Sequence, residues 1–119
     1  YISQRKPIDK NFIDNYIKQY EENFPNWINE LDNIMAYRYI ISEDEKNFEK
    51  LELHAHTLKG SISYFGYEPL REASYKLEVA GREKKAQGLD SMLSLLQQEF
   101  KIFFKDLETL AQKALSNAA

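Results

Sequence analysis

His56, Lys59 and Gly60 fall at i, i+3 and i+4 in the run Ala55-His56-Thr57-Leu58-Lys59-Gly60-Ser61. That spacing puts all three on one side of a helix. Imidazole is a nucleophile that is largely neutral near physiological pH, and an ammonium one turn away supplies a point charge. On a helical wheel of about 100° per residue, Phe48, Leu51, Ala55, Leu58, Ile62 and Phe65 lie within roughly 80° of one another, which makes a buried stripe. His56 lies about 140° from the middle of that stripe and is expected to face water, with Leu53 and Gly60 on the same outer side. An exposed imidazole beside a cation, in a clearing left by glycine, suits phosphoryl chemistry better than packing. His56 is the candidate phosphoryl acceptor at its outer nitrogen, Nε2. Lys59 is the candidate charge that neutralises the phosphoryl oxygens, and Gly60 leaves room for a partner's surface. Glycine inside a helix costs roughly 1 kcal/mol relative to alanine, which favours a functional reason for Gly60. A chance His-x-x-Lys-Gly arises in a chain of this length at roughly one in a hundred from average residue usage.

His54 invites a metal site and does not make one. Residues two apart on a helix point about 200° from each other, so His54 and His56 cannot hold one ion. Bundle di-iron sites use Glu-x-x-His, and the residues three before these histidines are Leu51 and Leu53. His54 is expected at the edge of the core, half-buried and hydrogen-bonded. The sequence contains no phosphate-cradling glycine loop, no Walker lysine and no kinase catalytic loop, so no ATP site is expected. Nor does it carry a carboxylate cluster resembling a metal site.

Four amphipathic segments must position these residues. The first carries Ile8, Phe12, Ile13, Tyr16, Ile17, Tyr20, Phe24, Trp27, Ile28, Leu31, Ile34 and Met35 in helical phase, with Asp9 as its cap. The phase passes through Pro25 unbroken, which favours one kinked helix over two; a break capped by Asn23 is the alternative. Tyr37 to Ile41 reads as an apolar connection, and Ser42-Glu43-Asp44-Glu45 as a capping box opening the second helix. That helix runs to about Tyr64 and ends at Gly66, a natural left-handed residue. Pro69 suits the first turn of a third helix, which buries Leu70, Ala73, Leu77, Ala80 and Gly81 and is closed by Gly88. Asp90 caps a fourth, with Met92/Leu93, Leu96, Phe100, Phe103, Leu107, Leu110 and Ala114 on its core face and fraying beyond Leu115. The aromatics, Phe104 among them, follow the core stripes and are read as packing. The pattern predicts an all-α, antiparallel up-down-up-down four-helix bundle, with His56 exposed midway along the second long helix. Residues 1–7 read as a lead-in and 8–119 as one domain.

A formal net charge of −3 argues against binding nucleic acid or an anionic membrane, which need a basic footprint. No apolar run approaches the ~20 residues that span a bilayer. With no cysteine there is neither a disulfide nor a thiolate metal site. One polar-surfaced bundle is most simply a monomer. A chain beginning with Tyr1 reads as a piece of a longer protein.

His56-Thr57-Leu58-Lys59-Gly60-Ser61, followed by Phe65-Gly66 and by Leu77-Glu78 on the next helix, resembles the histidine-containing phosphotransfer (HPt) domain of phosphorelays. The similarity extends from about Phe12 to Phe104. It implies a cytoplasmic relay intermediate that takes a phosphoryl group on His56 from a receiver's aspartyl-phosphate and passes it to another receiver, within a hybrid sensor histidine kinase. The resemblance implies no cofactor in this domain; Mg²⁺ comes with the receiver. It also implies that Glu78 and Arg82 face the phosphorylated histidine, some members carrying Gln at the position of Glu78. A carboxylate there can accept the Nδ1–H and fix the tautomer, yet repels a phosphoryl group that comes too close. Arg82 would bind phosphate or the partner. The candidate contact set is Leu53, Gly60, Ser63, Glu78 and Arg82, with Ile62 or Tyr64 as further apolar contacts. Two rivals share this scaffold: the phosphorylatable domain of a chemotaxis kinase, which Phe65-Gly66-Tyr67 resembles more loosely, and a helical interaction module that carries no phosphate.

Overall fold

The computed structural model describes residues 10–118. Within them lie four helices and no strand: α1 Lys10–Ile40, α2 Lys46–Ile62, α3 Glu68–Arg82 and α4 Leu89–Ala118, with a 3₁₀ turn at Ser63–Phe65 after α2. Each helix packs on its neighbours in the chain and α4 closes onto α1, while α2 and α3 make the most extensive pairing. This is the all-α four-helix bundle the periodicity predicts. Asp9, Ile8, the 1–7 lead-in and Ala119 lie outside the described residues, as does the side chain of Ala114.

The core is aromatic at the end where α2 meets α3. Trp27, Phe65, Phe100 and Phe103 are fully buried, and Phe65 meets Trp27 and Phe103 edge-on at 5.2 and 5.4 Å between centroids, a favourable quadrupole arrangement. Trp27 Nε1 donates to Ser61 Oγ at 2.7 Å and Tyr16 OH to the Phe65 carbonyl at 3.2 Å. These two bonds tie α1 to α2 and to the turn after it, on either side of Pro25. α1 runs through Pro25 as one helix: Tyr16 and Trp27 anchor both flanks, and the proline and Glu21 both lie on the exposed side, where a freed carbonyl meets water. Asn23 starts no new helix; its Nδ2 donates to the Gln19 carbonyl at 2.7 Å.

Several boundaries differ from the sequence expectation. Tyr37 to Ile40 is the last turn of α1 rather than a connection, because Tyr37 and Ile41 are both buried and prolong the core stripe. The capping box does not form: Glu45 is already helical and makes no capping hydrogen bond. Asp44 Oδ1 instead accepts from the Lys46 N–H at 2.9 Å, and Asn47 Nδ2 reaches back to the Ile40 carbonyl at 2.6 Å. Gly66 is left-handed as expected, at φ 62°. α3 ends at Arg82 with Lys84 in the left-handed region, so Gly88, at φ 77°, precedes α4 rather than closing α3. Asp90 lies inside the first turn of α4 and pairs with Arg38. Phe12 and Ile28, placed on the core stripe by periodicity, are exposed. α4 is helical to Ala118.

Candidate functional site

Ala55 and Leu58 of α2 are buried to 0% and 1% exposure, which turns His56 and Thr57, between them, outward. The His56 side chain is 67% exposed. Gly60, one turn on, is open: a Cβ built there meets nothing within 4 Å. No neighbouring atom requires a glycine at this position.

The inner nitrogen of His56 is engaged. Nδ1 lies 2.5 Å from Glu78 Oε1 on α3. The other oxygen of that carboxylate, Oε2, accepts from Lys59 Nζ at 3.1 Å and from Arg82 Nη2 at 3.3 Å. Glu78 is only 2% exposed. Burial by itself would raise its pKa, but the hydrogen bonds from Lys59 and His56, with their charges, outweigh it and hold the carboxyl below the usual glutamate range. An ionised carboxylate only accepts, so the proton between it and His56 belongs to Nδ1. In neutral imidazole that leaves the lone pair on Nε2, the outer nitrogen.

Glu78 reaches the histidine because α2 and α3 lie unusually close. A Cβ on Gly81 would stand 2.7 Å from both the Glu52 backbone nitrogen and the Phe48 carbonyl oxygen. Only glycine permits that approach, and Gly81 is three residues, about one helical turn, from Glu78. The sequence placed Gly81 in the core without showing that it sets the distance.

Lys59 is docked rather than free. Its side chain is 21% exposed, and Nζ sits 5.1 Å from the centre of the Tyr75 ring as well as on Glu78. Tyr75 did not emerge from the sequence, although it precedes Glu78 by three residues on α3 and so shares its side. Arg82 Nε donates to Glu52 Oε2 at 2.9 Å, and this pair, with Glu49, Leu53, His56 and Glu78, lines a shallow depression of about 350 Å³.

The remaining candidates divide. Leu53 is 64% exposed beside His56, and Tyr64 is also exposed. Ile62 is fully buried and cannot serve as an outer contact, because it completes the core stripe of α2. Ser63 Oγ donates to the Lys59 carbonyl at 2.7 Å, which ties it to the end of its own helix rather than to the Glu78 cluster. His54 faces the other way: its Nδ1 lies 3.0 Å from Glu30 Oε2 on α1, and its side chain is one-third exposed. The two histidines thus engage different helices and share no ligand position.

A family model described as the Hpt domain matches residues 14–112. Among curated proteins, the phosphorelay intermediate protein rdeA of Dictyostelium discoideum is 29% identical over 107 residues, an alignment covering 90% of this chain and 37% of that protein. The chain therefore spans little more than a third of that relative's length. No solved structure matches the chain significantly.

Proposed function

The chain belongs to the Hpt domain family, and from that premise we propose that it is a phosphorelay intermediate that carries a phosphoryl group on His56. The observation that carries this reading is the 2.5 Å contact of Nδ1 with Glu78. It leaves the Nε2 lone pair outward, on a surface cleared by Gly60. The Nε2 lone pair attacks the phosphorus of a receiver's aspartyl-phosphate, with attacking and leaving atoms in line. An N–P bond forms, the P–O bond of the mixed anhydride breaks, and the aspartate leaves with the electron pair as a carboxylate. The proton on Nδ1 does not have to move, and Glu78 faces the positive charge that develops on the ring. Lys59 and Arg82 supply cations for the phosphoryl oxygens.

Leu53 and Tyr64 provide apolar contact for the receiver, within a charged rim that sets partner choice. The receiver brings the Mg²⁺, and the domain works in the cytoplasm as a single bundle, as a segment of a hybrid sensor kinase. Onward transfer to a second receiver is the same step reversed.

Incubation with a radiolabelled phospho-receiver and Mg²⁺ tests the reading. Label that is lost in acid, survives alkali and disappears in His56→Gln but not His54→Gln is the expected result. Label acquired only from an ATP-fed kinase domain would favour a chemotaxis-type donor, and no label on a folded bundle from any donor would favour an interaction module.

A further inference from the structure

We propose that Tyr75 is a positioning residue for Lys59, holding its ammonium by the ring face so that its N–H donors stay available to a phosphoryl group on His56. The proposal rests on the carrier role of His56 argued above. Lys59 Nζ lies 5.1 Å from the Tyr75 ring centre and 3.1 Å from Glu78 Oε2. Both contacts come from one side of α3. An ammonium has three donors; Glu78 takes one. A second carboxylate in place of Tyr75 would hold the cation equally well but would occupy another donor and add negative charge beside the incoming phosphate. An aromatic face attracts the cation through its quadrupole without adding a negative charge. A lysine on a helix surface samples many rotamers, and fixing it costs entropy. Here that cost is met before the phosphoryl group arrives, so the cation is already in place as charge builds on the transferring oxygens.

Tyr75 is itself 46% exposed, so replacing it removes little from the core. This makes the proposal testable by substitution without unfolding the bundle. The experiment is a double-mutant cycle on phosphoryl uptake, read with two donors: a labelled phospho-receiver, and phosphoramidate, which has no protein surface. Tyr75→Leu is expected to slow uptake from both donors by roughly two- to fivefold, the range of one exposed cation–π contact. Tyr75→Phe, which keeps the ring, is expected to restore the wild-type rate. In a Lys59→Gln background Tyr75→Leu is expected to add nothing. Slowing confined to the receiver arm and to its KM would overturn the proposal and make Tyr75 a partner contact. Equal slowing with and without Lys59 would overturn it as well. The ring-current shift on the Lys59 ε protons gives a check independent of phosphate: it should vanish in Tyr75→Leu and persist in Tyr75→Phe, and its persistence in Tyr75→Leu would count against the contact. Absence of label on the wild type would remove the carrier reading and this proposal together. Label on the wild type with unchanged rates for Tyr75→Leu would remove this proposal alone.

Discussion

Glu78 Oε1 meets His56 Nδ1 at 2.5 Å across the seam between α2 and α3, joining residues 22 apart in the chain. The same carboxylate holds Lys59 and Arg82 through its other oxygen, so one buried charge organises the candidate acceptor and the two cations that the sequence singled out beside it. Its removal should therefore affect chemistry and stability in separable ways.

Glu78→Gln keeps an acceptor for Nδ1–H but removes the charge. Hydrogen bonds to charged groups exceed neutral ones by about 1 kcal/mol, so uptake of label by His56 should fall about fivefold to tenfold, measured as an initial rate. Glu78→Ala should slow it further, because the tautomer is no longer held. A Glu78→Gln variant as fast as wild type would show that the charge is irrelevant to transfer.

The stability of the fold should depend on the ionisation of Glu78. Its folded-state pKa is lowered from the ordinary value of 4.5, so the ionised form stabilises the fold. That contribution is complete above the ordinary value and is lost as pH falls below it, through the depressed folded-state value. Urea denaturation of wild type and Glu78→Gln over a pH series should show the wild type losing stability relative to the variant in that acid range. Parallel curves would contradict the assignment.

Gly81 and Gly60 should respond oppositely to alanine. At Gly81 the new Cβ would collide with backbone atoms of α2, a strain of typically 1–3 kcal/mol. Thermal denaturation should register that loss, and label uptake should drop as Glu78 is levered away from His56. At Gly60 the Cβ meets open space, so alanine should stabilise α2 by about 0.5–1 kcal/mol. The same variant should raise the KM for a phospho-receiver, because the methyl group would stand on the contact surface proposed for it. An unaltered KM would mean that the clearing serves no partner.

Leu53→Ala should raise the receiver KM, by roughly fivefold or more if the residue is an interface anchor, and leave the melting temperature nearly unchanged. Ile62→Ala should do the reverse, costing about 2–5 kcal/mol of fold stability as a core truncation. Binding and melting measurements on the pair separate outer contact from core.

Periodicity alone determined that the chain is a helical bundle and that His56 faces outward, because a 3.6-residue repeat fixes which side of a helix each residue occupies. The same reasoning located the half-buried His54, and the chemistry of helix ends located Gly66 and Pro69. It faltered where local signals competed with burial. Tyr37 to Ile40 continue α1 because Tyr37 and the following Ile41 find space in the core, and Ser42 loses its capping role to Asp44 because the helix begins later than the box implies. It also put Phe12 and Ile28 inside, since a wheel does not say how far a neighbouring helix extends.

Only the tertiary structure decided that Glu78 is buried and bonded to His56 and that Lys59 is docked on Tyr75. Both depend on the distance between α2 and α3, which the missing Cβ of Gly81 sets through backbone atoms of Phe48 and Glu52. A helix's own sequence states which way its side chains point. What they meet is decided by how closely another helix can approach, and that follows from packing between residues far apart in the chain.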